Sequence, residues 1–163
     1  MSRSILASLT GLGSDRAVME TAIAAARIEG GHLTCLHARV DTLGAAAMVE
    51  TMFPQTRYEP GQIRAMSEED AQRTAHARAA FDRAARQHDL SVCDAPGEAP
   101  VSLSWMETRS VVDETVEEAY YHDLIVMARE PELAGERIRS VLMQSGRPLL
   151  LAPARPEPIL GRN

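Results

Sequence analysis

Five consecutive residues, Thr10-Gly11-Leu12-Gly13-Ser14, have the composition that close backbone contact with an anion requires. Glycines without Cβ atoms let main-chain N–H groups approach a phosphate or carboxylate, and the start of a following helix adds partial positive charge. The same residues also suit an ordinary tight turn. The dinucleotide fingerprint G-x-G-x-x-G needs glycine at position 16, where Arg16 stands, and the loop G-x-x-x-x-G-K-[ST] is absent. Asp113, Glu114, Glu117 and Glu118 form two like-charged i,i+4 pairs, each costing about 0.2–0.5 kcal/mol on a helix. Convergent carboxylates would suit a metal, but a solvated face, or one that meets basic residues of a partner, is the plainer reading. His32 and His37 stand an odd number of residues apart in an apolar run, so a strand points them to opposite faces. His76 and His88 are too far apart on a helix to share a ligand. There is no G-x-S-x-G elbow, and no serine or cysteine has neighbours that mark it as a nucleophile. We therefore assign no catalytic residue and no metal site, and expect binding rather than turnover.

The elements that must position these residues follow from periodicity and breakers. Ile5 to Leu9 reads as a strand, then Ser14 as an N-cap with Asp15 in the first turn. Val18, Met19, Ala22, Ile23 and Ala26 recur at helical spacing until Gly30-Gly31. Leu33 to Ala38 is a second strand, completing a βαβ unit with parallel strands. From Asp41 to Met66 the pattern weakens around Gly44, Pro54, Pro60 and Gly61, which suggests a lid, a contact surface or a loop. Ser67 then opens the longest helix, with Glu68, Glu69 and Asp70 in its first turn and Ala77, Phe81, Ala84 and His88 on one face. Val101, Leu103 and Trp105 alternate with Ser102 and Ser104, the pattern of an edge strand with one wet face. Ser110 caps a third helix with Val112, Val116 and Ala119 as its buried stripe. Asp123 to Ala128 and Pro148 to Ala152 are continuous apolar runs bounded by breakers, as in strands buried on both faces, and a shorter helix joins them.

Strict alternation predicts an α/β fold with an open parallel five-stranded sheet, helices on both faces and the order 3-2-1-4-5. Ligands of such sheets sit at the carboxyl ends of the strands where the order reverses, here between the first and fourth strands. On this layout the crevice is formed by Thr10, Gly11, Gly13 and Ser14 after the first strand, by Arg39 at the end of the second, and by Met127, Ala128 and Arg129 at the end of the fourth. Arg129 would hold an anion there or cap exposed carbonyls.

Ile5-Leu-Ala-Ser-Leu9 with its turn, Leu33-Thr-Cys-Leu-His-Ala38, Asp123-Leu-Ile-Val-Met127 and Arg147-Pro-Leu-Leu-Leu151 together resemble the universal stress protein family over nearly the whole chain. The resemblance implies the 3-2-1-4-5 parallel sheet and dimer formation through the last strand, here Leu149, Leu150 and Leu151. In one subset of the family it also implies ATP at the carboxyl ends of the first and fourth strands. That subset has an aspartate at the end of the first strand, where this chain has Thr10, and a Gly-x2-Gly-x9-Gly-[Ser/Thr] loop after the fourth. Here Met127 is followed by Ala128-Arg-Glu-Pro-Glu-Leu-Ala134, with Gly135 and Gly146 further on and Arg147 next. The expectation is a stress-response or regulatory module without a cofactor that does not bind ATP, the alternative being a binder of a nucleotide or other small anion in the crevice. Residues 154–163 resemble the connector that, in tandem members, leads into a second repeat; the partner is then a second copy or a second homologous repeat.

With 163 residues and 45% hydrophobic content, residues 1–153 suit one domain, which at this size buries roughly 70% of its unfolded surface. Aromatic residues make up only 4%, so the core is aliphatic and alanine-rich. A formal charge of −6, with seventeen basic residues scattered among acids, argues against a nucleic-acid partner. No apolar run has the length of a membrane helix, and the run after Arg3 is too short for a signal peptide. Cys35 in an apolar run and Cys93 in a loop read as free thiols in a reducing cytoplasm.

Overall fold

The computed structural model describes residues 3–96, 99–110, 113–129 and 134–153. In chain order the elements are β1 (Arg3–Ser8), α1 (Asp15–Glu29), β2 (Gly31–Val40), α2 (Thr42–Met52), α3 (Pro60–Gln87), β3 (Ser91–Val92), β4 (Val101–Ser110), α4 (Thr115–Ala119), β5 (Leu124–Ala128), α5 (Ala134–Ser145) and β6 (Leu149–Ala152). The strands form a six-stranded sheet in the order β3-β4-β2-β1-β5-β6, with every neighbouring pair parallel. The five expected strands hold their expected order, and the two-residue β3 is added outside β4.

Period-two alternation along β1 divides the core between the two faces of the sheet. Ile5, Ala7 and Leu9 join Leu33, Cys35, Leu103 and Val126 beneath α1 and α3, against Val18, Met19, Ala22, Ile23 and Ala26 and against Ala77, Phe81 and Ala84. Leu6 joins Leu36, Ile125 and Met127 on the other face, against Ala119 of α4 and Val141 of α5. Each of the large side chains among these that is fully buried contributes about 1.5–3 kcal/mol. Gly30, in a positive-φ conformation, ends α1 and turns the chain into β2.

Three expectations need correction. The stretch from Asp41 to Met66 is largely helical, because Pro60 and Gly61 are not breakers there. Pro60 fills the first turn of α3, where its missing N–H costs nothing, and Glu59 and Gln62 form a reciprocal capping box. Ser67 therefore lies inside the helix, and its hydroxyl pairs with Thr42 Oγ1 at 2.8 Å. Helix α2 buries only Thr42 and Ala46 and leaves Leu43, Met48 and Met52 exposed.

The second correction concerns β4, whose serines do not face water. Ser102 and Ser104 are buried, 2.8 and 2.9 Å from Nδ1 and Nε2 of His32 on the neighbouring strand. Third, Ser110 ends β4 instead of capping a helix. Helix α4 begins only at Thr115, and Val112 lies outside the described residues, as do residues 154–163. His32 and His37 do take separate surroundings, as their odd spacing requires: His37 meets Leu9 and Thr74. Among the described residues no helix is long and apolar enough to cross a membrane.

Candidate functional site

A crevice of about 720 Å³ opens at the carboxyl ends of β1, β2 and β5. Its position follows from topology: the chain leaves β1 toward β2 and β4, then returns to the other side of β1 as β5, so the loops part there. The volume lies within the range of small-molecule sites. Leu9, Val40, Val116, Met127, Ala128 and Ile138 make its apolar walls. Among the described residues its charged groups are three arginines, Arg39, Arg73 and Arg137, and four carboxylates, Asp70, Asp113, Glu117 and Glu136.

Each arginine is already engaged. Arg39 reaches Asp70 at 2.9 Å and Glu107 at 2.9 Å, and these hydrogen bonds, Glu107 foremost, raise its pKa further. Arg73 pairs with Glu69 one turn earlier on α3 at 2.6 Å. Arg137, in the first turns of α5, crosses to Asp113, to Ser8 Oγ at 3.0 Å and to Thr115 Oγ1 at 2.8 Å. Burial pushes the Asp113 carboxyl up, but the Arg137 charge and the Thr115 hydrogen bonds outweigh that and hold it below its ordinary value. His37 donates from Nδ1 to the Leu9 carbonyl at 2.9 Å, and its ring stacks on Trp105, whose own ring contacts Phe81 and the Arg78 guanidinium.

Of the residues expected to form the crevice, Thr10, Arg39, Met127 and Ala128 line it, whereas Gly11, Gly13, Ser14 and Arg129 do not. The turn after β1 has an occupant from its own chain. Buried Asp15 accepts the Thr10 N–H at 2.8 Å and the Gly11 N–H at 2.8 Å, and the Thr10 hydroxyl at 3.2 Å. Desolvation raises the Asp15 pKa, against the opposing pull of these hydrogen bonds. Gly11 is required for packing, since a Cβ at its φ of 77° would stand 2.1 Å from the Arg73 carbonyl oxygen, while Gly13 has open space around it. Ser14 stands at the N-cap of α1 without a side-chain capping bond, and the Arg129 N–H lies 3.4 Å from the Ala152 carbonyl.

The sequence reading missed His37, Asp70, Arg73, Asp113 and Arg137 as crevice residues. Spacing alone groups Asp113 with Glu117 on one helical surface, yet it precedes α4 and pairs across to α5. Position offered one signal: Arg137 follows β5 closely, on the side of the sheet where ligands gather. Among the described residues no group of three or more His, Cys, Asp or Glu side chains is placed to hold a metal ion.

No protein-family model and no curated protein matches this sequence. Solved structures do. Universal stress protein UspA from Lactobacillus plantarum is 17% identical, with 93% of this chain and 97% of that one covered, at a TM-score of 0.60. A universal stress protein family member from Burkholderia pseudomallei is 21% identical, with 93% and 96% covered, at a TM-score of 0.51. The hypothetical protein MJ0577 is 10% identical over similar coverage, 93% and 96%, at 0.54. The parallel sheet reversing at β1, with helices on both faces, and this likeness along nearly the full length together mean that the chain has the universal stress protein fold.

Proposed function

We propose that this protein is a stress-response regulatory module of the universal stress type, that it acts by binding rather than turnover, and that its crevice takes a small ligand other than ATP. The observation that carries the reading is the charge balance of the crevice: its three arginines face four carboxylates, and each arginine is held by at least one acid. A triphosphate would bring several negative charges into a cavity without surplus positive charge among its described residues, and desolvating them there is costly. The N–H groups of Thr10 and Gly11 already serve Asp15. The fold likeness supports the regulatory role, and the unpaired cysteines suit a reducing cytoplasm. Assembly is through β6, whose outer edge has no neighbour among the described strands.

Calorimetric titration of ATP with magnesium into the purified protein tests this. We expect no saturable heat and no rise in melting temperature; a ligand at a hundredfold excess over its Kd would add about 2.7 kcal/mol of stability. Saturable binding would overturn the reading. A second reading, a crevice that accepts a smaller anion, is favoured by one feature, the convergence of Arg137, itself held by Ser8, and of Thr115 on a single carboxylate.

A further inference from the structure

The Asp113 carboxylate sits in a cradle of donors drawn from separate parts of the chain. Its Oδ1 accepts the Thr115 N–H at 2.9 Å, its Oδ2 accepts Arg137 Nε–H, and the Thr115 hydroxyl also bonds to it. Arg137 is fixed in turn by Nη2, which donates to Ser8 Oγ at the end of β1 and to Thr115 Oγ1 at the start of α4. The residues that hold Arg137 are buried: Ser8 is 2% exposed and Thr115 0%. The acceptor is the more exposed member. The Asp113 side chain is 40% exposed against 25% for Arg137, and it stands before α4, not within it. A set of oxyanion donors is thus filled by a carboxylate that borders water.

We propose that this cradle is an anion subsite of the crevice, with Asp113 as its resident plug, and that the ligand is a small organic anion whose carboxylate or phosphate-monoester head displaces Asp113 from Arg137. The inference rests on the reading of the crevice as a ligand site and names the class of ligand it takes. A carboxylate head replaces the Asp113 charge beside Arg137 one for one, and a phosphate monoester, at about −1.5 to −2 near neutral pH, adds at most one further negative charge, so Arg137 keeps a counter-ion in the bound state. The head group alone therefore gains little over Asp113. Net affinity comes from the rest of the ligand, which must be apolar to fill the space beside Val116, Met127 and Ile138. Asp113 thereby selects against bare ions and against polyanions.

Removing the plug exposes the subsite to simple probes. Inorganic phosphate and acetate are titrated into the full chain, into Asp113→Asn and into the double variant Asp113→Asn with Arg137→Gln, followed by calorimetry and by NMR. We expect Asp113→Asn to bind at least one probe about tenfold or more tighter than the wild type, with the gain lost in the double variant. The probe that gains tells a phosphate head from a carboxylate head. Equal affinity in the wild type and Asp113→Asn, or a gain that survives loss of Arg137, would overturn the proposal.

Should Asp113→Asn fail to fold, the expectation is carried by Asp113→Ser, which also removes the carboxylate: its Arg137 Nε–H and Thr115 amide resonances must move together as either probe is added, further than in the wild type, and fixed resonances there would overturn the proposal. The two readings fail separately. ATP binding to the wild type removes the proposed function, whereas an ATP-negative wild type with no gain in Asp113→Asn removes the subsite alone.

Discussion

Gly11 and Gly13 look equivalent in the turn after β1, yet the structure gives them different roles. Gly11 combines a positive φ with a close approach to the backbone of α3, while Gly13 has nothing within 4 Å of its would-be Cβ. We expect Gly11→Ala to cost about 3 kcal/mol or more in urea unfolding, because it strains the backbone and also pushes against a helix carbonyl, and Gly13→Ala to change stability by no more than about 0.5 kcal/mol. Equal effects would show that the turn tolerates both. The turn was legible as a glycine-dependent feature, since only glycine adopts such conformations without penalty. Its occupant was not, because nothing about the spacing of Asp15 says that its carboxylate folds back onto Thr10 and Gly11 instead of facing water.

At the scale of elements, β2 and β4 are locked by a polar pairing inside the sheet. His32 lies between the hydroxyls of Ser102 and Ser104. Burial, with His122 adding to it, holds its pKa below the ordinary 6.5. The folded chain therefore binds fewer protons than the unfolded chain between that lowered value and 6.5. The contribution of His32 is fully present above pH 6.5 and is lost as pH falls through the folded value, by at most about 1.4 kcal/mol per pH unit. Urea unfolding of the wild type from pH 7.5 downward should show this loss, and His32→Gln should flatten it; parallel profiles would exclude His32 as the source. The alternation of Ser102 and Ser104 with apolar residues was readable, but not which side was wet, since a buried serine is acceptable only when a partner such as His32 stands opposite it. Pro60 posed a similar ambiguity. Proline ends helices and also begins them, and the Glu59–Gln62 capping box decides for the beginning.

For the molecule as a whole, β6 is the exposed consequence of the topology. It pairs with β5 on one side, and Leu151 is 39% exposed. An apolar edge strand invites a second copy by isologous pairing. Light scattering should give a dimer for the wild type and a monomer for Leu151→Lys; a monomeric wild type at high concentration would exclude assembly through β6. The sequence by itself determined the class of fold, the order of its five main strands and the end of the sheet where the crevice opens. Continuous runs such as Leu124 to Met127 and helical spacing such as Val18, Ala22 and Ala26 record burial locally, and parallel connectivity restricts the rest. Tertiary structure alone decided the chemistry of the crevice. Arg137 meets Ser8 across 129 residues of chain and Asp113 across 24, and His32 meets Ser102 across 70. Such pairings depend on register and on helix placement, which bring distant residues within hydrogen-bond reach and leave no periodic trace in the sequence.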